Sequence, residues 1–361
     1  MAPFRIELKK KWAQHAPIKT HRRHLNVISP SQPRVVKSGF RFMRWQSKAL
    51  ILLFLSTAPG GRKLYRKLQD LSGSNRLDID DQYGMKRQLL MRLVQQRIPI
   101  EDKDFLEVGT GWYPIVPLIL FVLGARRTVT VDLNPWLTRQ SLASALAGLI
   151  AVASRIDSDF NLPTGHTTSK LTPLLDRVEK SDQPTADILT SAAIDYRMPC
   201  DICKTNLPAS SIDYYISSNV LEHLPVEVLA GMLAESRRLL RPGGLHLHHI
   251  DLGDHYTFDK RISKINFLRY SSQTWKLLGG GSLGFVNRLR RSDYIKLLAD
   301  AGFEPIHEHA FHDPRVATLL EQGFKVHPDY AGRPTDDLTI TVLDVFASRR
   351  PATQNEPSHE H

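Results

Sequence analysis

Short apolar runs alternate with stretches of helical period along most of the chain, and their order predicts an α/β fold. Phe105-Leu106-Glu107-Val108 enters a glycine turn at Gly109-Thr110-Gly111, and an apolar helical stretch follows from Ile115 to Leu123. A second apolar run, Val129-Thr130-Val131, ends on a lone carboxylate, Asp132. Strand, turn, helix, strand and acid in that order read as the nucleotide-binding half of a parallel sheet.

The same pattern places the other elements. From about Phe40 to Ile98 it is helical, with Leu89, Leu90, Leu93 and Val94 on one face and Pro99 as the stop. After Asp132 come a helix at about Leu137 to Ala153 and a polar stretch, Asp157 to Asp187, expected as a surface excursion with room for a short helix. A third strand lies within Ile194 to Cys203 and a fourth spans Ile212 to Ser218. The next helix shows apolar positions at Val226, Leu229, Leu233 and Leu240, with Arg241-Pro242-Gly243-Gly244 as its stop. A fifth strand runs from Leu245 to Ile250, and a loop-rich region at 256–288, with Gly279-Gly280-Gly281, is placed where a lid would attach. Ser292 is the expected cap of a last helix ending at Ala301-Gly302. Strands at Glu304 to Ala310 and Leu338 to Ala347 are free to pair antiparallel.

This divides the chain into a basic arm (1–40), a helical cap (41–100), an α/β domain (101–350) containing the lid, and a tail (351–361) expected to be disordered. Charge sharpens the division. The net charge is +11, and residues 1–48 hold twelve Lys/Arg against one acid, Glu7, so the remainder sums to zero. A basic arm suits RNA, anionic lipid or an acidic partner, although it lacks the interleaved aromatics of base stacking. No run approaches the roughly twenty apolar residues that span a bilayer. The expectation is therefore a cytoplasmic protein, with Ala49 to Leu55 a buried helix in preference to a peripheral membrane contact. Two cysteines, Cys200 and Cys203, exclude a disulfide framework, and without a second pair their spacing argues against a zinc site. Nothing in the pattern speaks to oligomeric state.

The chemistry of the turn is specific. Gly109 and Gly111 let the backbone turn sharply and approach a ligand, and Asp132 is placed to accept from both hydroxyls of a ribose. The dinucleotide fingerprint needs a third glycine three residues on, where this chain has Pro114. A cofactor without a pyrophosphate has no such need.

At this point the residues carry a resemblance. From about 100 to 350 the chain resembles a class I S-adenosylmethionine-dependent methyltransferase of the type 11 kind. The resemblance rests on Glu107-Val108-Gly109-Thr110-Gly111, on Asp132, and on Asp201-Ile202 followed by Leu207-Pro208. It rests further on Asn219-Val220-Leu221-Glu222-His223-Leu224, together with Leu239-Leu240-Arg241-Pro242-Gly243-Gly244. It implies a Rossmann-like seven-stranded sheet of order 3-2-1-4-5-7-6, strand 7 antiparallel, behind an N-terminal helical extension. It implies S-adenosyl-L-methionine as cofactor, with Gly109 and Gly111 flanking the methionine part, Thr110 between them, and Glu107 holding the loop or the methionine amine. Asp132 would take the ribose hydroxyls with Leu133 beside it, Asp201 the adenine amino group, Ile202 the adenine face, and Asn219 the place beside the methyl. Tyr113 departs from the family, many of whose members have a third glycine there.

Around the exits of strands 4 and 5 stand Glu222, His223, His246, His248, His249, Asp251, Asp254 and His255. Alternation puts His246 and His248 on one face of the fifth strand and His249 and Asp251 on the other. Three readings stay open: a general base, a divalent metal held by Glu222, His223 and a later group, or structural hydrogen bonding. The catalytic candidates are His249, Asp251 and His223, and a metal is not favoured. The expected function is methyl transfer to an oxygen or nitrogen of a small-molecule, lipid or glycan acceptor. The alternatives are an RNA methyltransferase using residues 1–48, a non-catalytic binding protein of the same fold and, remotely, an NAD-dependent oxidoreductase.

Overall fold

The computed structural model describes residues 44–72 and 76–349. Compactness divides the chain after Pro33, and every described residue lies in the second unit, Arg34–His361. The expected arm and tail lie outside the described residues.

Seven strands form one sheet in the order β3-β2-β1-β4-β5-β7-β6. They are β1 (Asp104–Val108), β2 (Arg127–Val131), β3 (Ile194–Arg197), β4 (Ile212–Ser218), β5 (Leu240–Asp251), β6 (Phe303–His312) and β7 (Ile340–Arg349). The first five run parallel to one another, and β7 is antiparallel to both β5 and β6. The sheet is therefore the one the resemblance implies. Strand order reverses between β1 and β4, and ligands in such sheets bind beyond the carboxyl ends of the strands at that point.

Three helices precede the sheet: α1 (Trp45–Thr57), α2 (Gly61–Ser72) and α3 (Ile79–Gln95). The side chain of Asp78 caps α3 by accepting from the Asp81 N–H. Leu89, Leu90 and Leu93 are buried as expected, but Val94 is 45% exposed. It turns outward because α3 ends at Gln95 with Arg97 in the left-handed region, where Ile98 N–H returns to the Leu93 carbonyl. The chain then continues through α4 (Ile115–Val122), α5 (Arg139–Ala151) and α6 (Ala153–Asp159).

The stretch Asp157 to Asp187 corrects the expectation of a surface excursion. It holds α7 (His166–Lys180), which buries Thr167, Leu171, Leu174 and Val178 in the core, and the first half of a short α8 (Thr185–Thr190). Pro173 inside α7 disguised the helical period, while its start is fixed by Asp157, whose carboxylate accepts from Gly165 N–H, Thr167 N–H and the Thr167 hydroxyl.

After β4 comes α9 (Val226–Leu239), burying Leu229, Met232, Leu233 and Leu239, whereas Val226 is 41% exposed in its first turn. Arg241 to Gly244 belongs to β5 as a bulge, since Leu240 pairs with Ile212 and Leu245 already with Tyr214. Beyond β5 lie α10 (Ser272–Leu278), α11 (Arg291–Asp300), α12 (Pro314–Glu321), α13 (Pro328–Ala331) and α14 (Thr335–Thr339). Ser292 does not cap α11, whose Ncap is Arg290; its hydroxyl donates to Asp337 instead.

Two cores sandwich the sheet. On one face Phe105, Tyr214, Ile216 and Leu247 pack under α3, α4, α5 and α7. On the other, Leu106, Val108, Tyr215 and Ile250 pack against α9 and α11. A third cluster joins Trp45, Ala49 and Leu52 of α1 to Tyr256, Ile265, Phe267 and Trp275 of the 256–288 region. The N-terminal cap and the expected lid are thus one packed layer. The helix expected at Ala49 to Leu55 is buried on that side alone.

Candidate active site

The turn after β1 is built around a close approach. Gly109 has φ 85° and donates its N–H to Val131 O at 2.9 Å, and a Cβ on it would stand 2.5 Å from a Val220 methyl. Gly111, also at positive φ, donates its N–H to one Asp132 carboxylate oxygen at 3.0 Å, and Asn134 N–H reaches the other at 2.9 Å. Asp132 therefore ties the β1 and β2 loops together, and burial raises its pKa. Cys200 N–H donates to Asp132 O at 2.9 Å, which brings the β3 exit, with Asp201 and Ile202, alongside. Asp201 is exposed, while Ile202 is half-buried against the α9-side core. Leu133 stands 68% exposed just past β2. The rings of Trp112 and Trp136, one from each loop, lie 4.7 Å apart.

Thr110 is turned inward. Its hydroxyl lies 2.6 Å from that of Thr130, which donates to Glu107 at 2.5 Å. Burial pushes the Glu107 carboxyl up to about 7, against the pull of Thr130 and of Lys86. Lys86, on α3, donates to Ser218 O at 3.0 Å, and burial of its ammonium lowers its pKa against the attraction of Glu107 and Glu222. Sequence reasoning missed Lys86. The available signal was a lysine three and seven residues ahead of Leu89 and Leu93, hence on the buried face of the helix.

At the β4 exit Asn219 sits at φ 57° with its N–H on His249 O at 2.9 Å, and its side-chain oxygen is buried without a partner among the described residues. Glu222 is 3% exposed, and neither carboxylate oxygen makes a well-formed hydrogen bond there. Burial, and then Asp251, push its carboxyl up to about 8. His223 is exposed with Nδ1 3.0 Å from Phe285 O, and its ring lies 4.9 Å from that of His255. Glu222, His223 and His255 bring their ligand atoms within 4.8 Å of one another, a set able to hold a divalent ion.

The β5 histidines divide as alternation predicts. His246 and His248 are buried together on the α9 side, 2.8 Å apart and closed off by Ser236 and Ser217. Burial pushes His248 down to about 3, so it stays neutral. His249 lies on the α3 side with Nδ1 2.5 Å from Asp344, which Arg92 of α3 also engages at 2.7 Å. Asp251 is near the cluster, 3.7 Å from His255 and 3.8 Å from Lys264. The Asp344 and Arg92 partners come from distant segments and had no local signal.

The family model described as "Methyltransferase domain" matches residues 166–248, from α7 into β5. A search of curated proteins finds no match. Among solved structures, an S-adenosylmethionine-dependent methyltransferase from Mesorhizobium loti is 16% identical over 75% of this chain and 100% of its own, with TM-score 0.42. One from Methanosarcina mazei is 14% identical over 71% and 97%, with TM-score 0.41. The 1,6-didemethyltoxoflavin-N1-methyltransferase of Burkholderia thailandensis, with bound 1,6-didemethyltoxoflavin and S-adenosylhomocysteine, is 13% identical over 82% and 92%, with TM-score 0.41.

The sheet order is the one the class I methyltransferase resemblance implies, and residues 166–248 match a methyltransferase-domain model. The matched segment is that of a methyl-transferring enzyme.

Proposed function

We propose that the enzyme methylates an oxygen or nitrogen of a small-molecule, lipid or glycan acceptor bound at the exits of β4 and β5. The carrying observation is Glu222, a buried carboxyl without a well-formed hydrogen bond, beside the equally unpartnered oxygen of Asn219. A carboxyl near pKa 8 is suited to exchanging a proton with an arriving hydroxyl or amine around neutral pH.

The cofactor fits the residues present. Gly109 closes on Val220, the Asp132 carboxylate lies at the loop, and Leu133 offers an uncovered apolar surface past β2. In this reading Gly109, Thr110 and Gly111 shape the methionine pocket and Glu107 holds its amine. Asp132 takes the ribose, Asp201 and Ile202 take the adenine, and Asn219 lies beside the methyl. The bound cofactor supplies an electrophilic methyl on a good leaving group. The chain's task is then placement, which can contribute roughly 7–11 kcal/mol. His223 and Asp251 line the acceptor mouth, and His249, tied to Asp344, positions the β5 exit through the Asn219 N–H on its carbonyl.

The test is thermal unfolding with S-adenosylmethionine, S-adenosylhomocysteine, NAD or no ligand. Ligand at about a hundred times its dissociation constant adds roughly 2.7 kcal/mol. Both sulfur cofactors should raise the melting temperature and NAD should not. Asp132→Ala should weaken binding by about one to two decades, the worth of a charge-assisted hydrogen bond. A shift with NAD alone would overturn the reading.

A further inference from the structure

Among the described residues, part of the outer faces of α1 and α2 stays exposed to solvent. α1 buries Trp45, Ala49 and Leu52 against the 256–288 region, and Leu55 is buried too, yet its stretch Ala49 to Leu55 is apolar all round. Leu50 is 58% exposed and Phe54 69%, with Ile51 exposed beside them. α2 packs next to α1 and presents Leu64 and Leu68, one turn apart, to solvent. Exposed large side chains in a group of this kind mark an interaction surface.

The exposed charged side chains described around this surface are cationic. Arg44, Lys63 and Lys67 are exposed along it. Residues 1–72 hold sixteen Lys/Arg against two acids, Glu7 and Asp70, so the remaining residues carry a net −3. An apolar face edged with cations on a short helical pair is the composition of an interfacial element, apolar side chains entering the acyl boundary and cations meeting anionic headgroups. A protein partner of opposite charge would satisfy the cations, but the aliphatic and aromatic side chains favour a bilayer. No single described helix is long and apolar enough to cross a membrane.

We infer that α1 and α2 dock the enzyme peripherally on an anionic lipid bilayer, through Leu50, Ile51, Phe54, Leu64 and Leu68. Because the inner face of α1 forms the lid core with Tyr256 and Trp275, and Gly280 faces Leu52, docking sets the acceptor-side layer next to the membrane. This concerns where the enzyme works and stands whether or not its acceptor is a lipid.

The experiment is vesicle co-sedimentation of the full chain, with phosphatidylcholine vesicles that contain or lack phosphatidylserine. Wild type and a Leu50→Ser/Phe54→Ser double variant are compared, and the S-adenosylhomocysteine melting shift reports the fold separately. The wild type should bind the anionic vesicles at least about tenfold more tightly than the neutral ones. The double variant should lose a further tenfold or more, on the order of two buried apolar side chains, while its melting shift persists. Failure of the wild type to bind either vesicle overturns the inference. Equal binding by the variant also overturns it, placing the contact in residues 1–43 alone. A variant that unfolds more readily, or sediments as a smaller species, shows instead that the face is covered by this chain or by a second copy.

Discussion

At the residue scale the site is a set of carboxyls held in different states by their surroundings. Asp132 is tied by two backbone N–H groups, whereas burial holds Glu107 near 7 and Glu222 near 8. In the free protein, a carboxyl raised from its ordinary range favours folding while protonated. For Glu107 that contribution is complete below about pH 4.5 and is lost as pH rises through 7. A cofactor ammonium beside Glu107 reverses the preference, because it favours the ionised carboxylate. Calorimetric titration with S-adenosylhomocysteine should therefore show affinity rising between about pH 6 and pH 8, by no more than tenfold per unit. A flat profile would remove Glu107 from the amine. Glu235 shows the opposite sign. Arg238, then Thr205, hold it down to about 2 despite burial. Its stabilisation is present above the ordinary glutamate range and lost as pH falls toward 2. Glu235→Gln should cost about 1.5–3 kcal/mol at neutral pH in denaturant unfolding, with the gap to wild type closing in acid. Asp132 and the glycines were legible because a turn between two strands restricts residue type locally. Lys86 was legible only as a misfit on an apolar face.

At the element scale the 256–288 region is the part whose integrity depends on a distant segment. Trp45 in α1 is 3% exposed, with the rings of Tyr256, Tyr270 and Trp275 between 5.6 and 5.9 Å away. Its backbone N–H donates to Asp259, which also engages Arg261. Trp45→Ala should cost about 3–5 kcal/mol, the usual range for an emptied aromatic site in a core. Limited proteolysis should then cut first within 256–288, while S-adenosylhomocysteine affinity, which the proposed site rests on the β1 and β2 loops, should change little. Strand boundaries were read closely from sequence, β4 to the residue, because buried parallel strands show as bounded apolar runs. The helix α7 was not, since a proline and a largely polar exposed face hid its buried positions.

For the whole molecule, charge separates the N-terminal segment from the body, and residues 49–361 carry no net charge. Deleting residues 1–40 should therefore leave the cofactor-induced melting shift intact. It should remove any salt-dependent RNA binding, measured as the slope of affinity against salt. Binding retained after deletion would place an RNA surface on the folded body instead. By itself the sequence determined the sheet order, through the resemblance its stations carry, the glycine turn with its acid partner, and the alternation that parts His246 and His248 from His249 and Asp251. These depend on neighbours a few residues away or on the order of strands. Only the tertiary structure decided which groups meet. Lys86 reaches the β4 exit from α3, Asp344 and Arg92 enclose His249, α1 packs onto the 256–288 region, and Glu222 is left buried without a well-formed hydrogen bond. Such contacts join segments far apart in the chain, and the burial that sets their charge states exists only once those segments have packed.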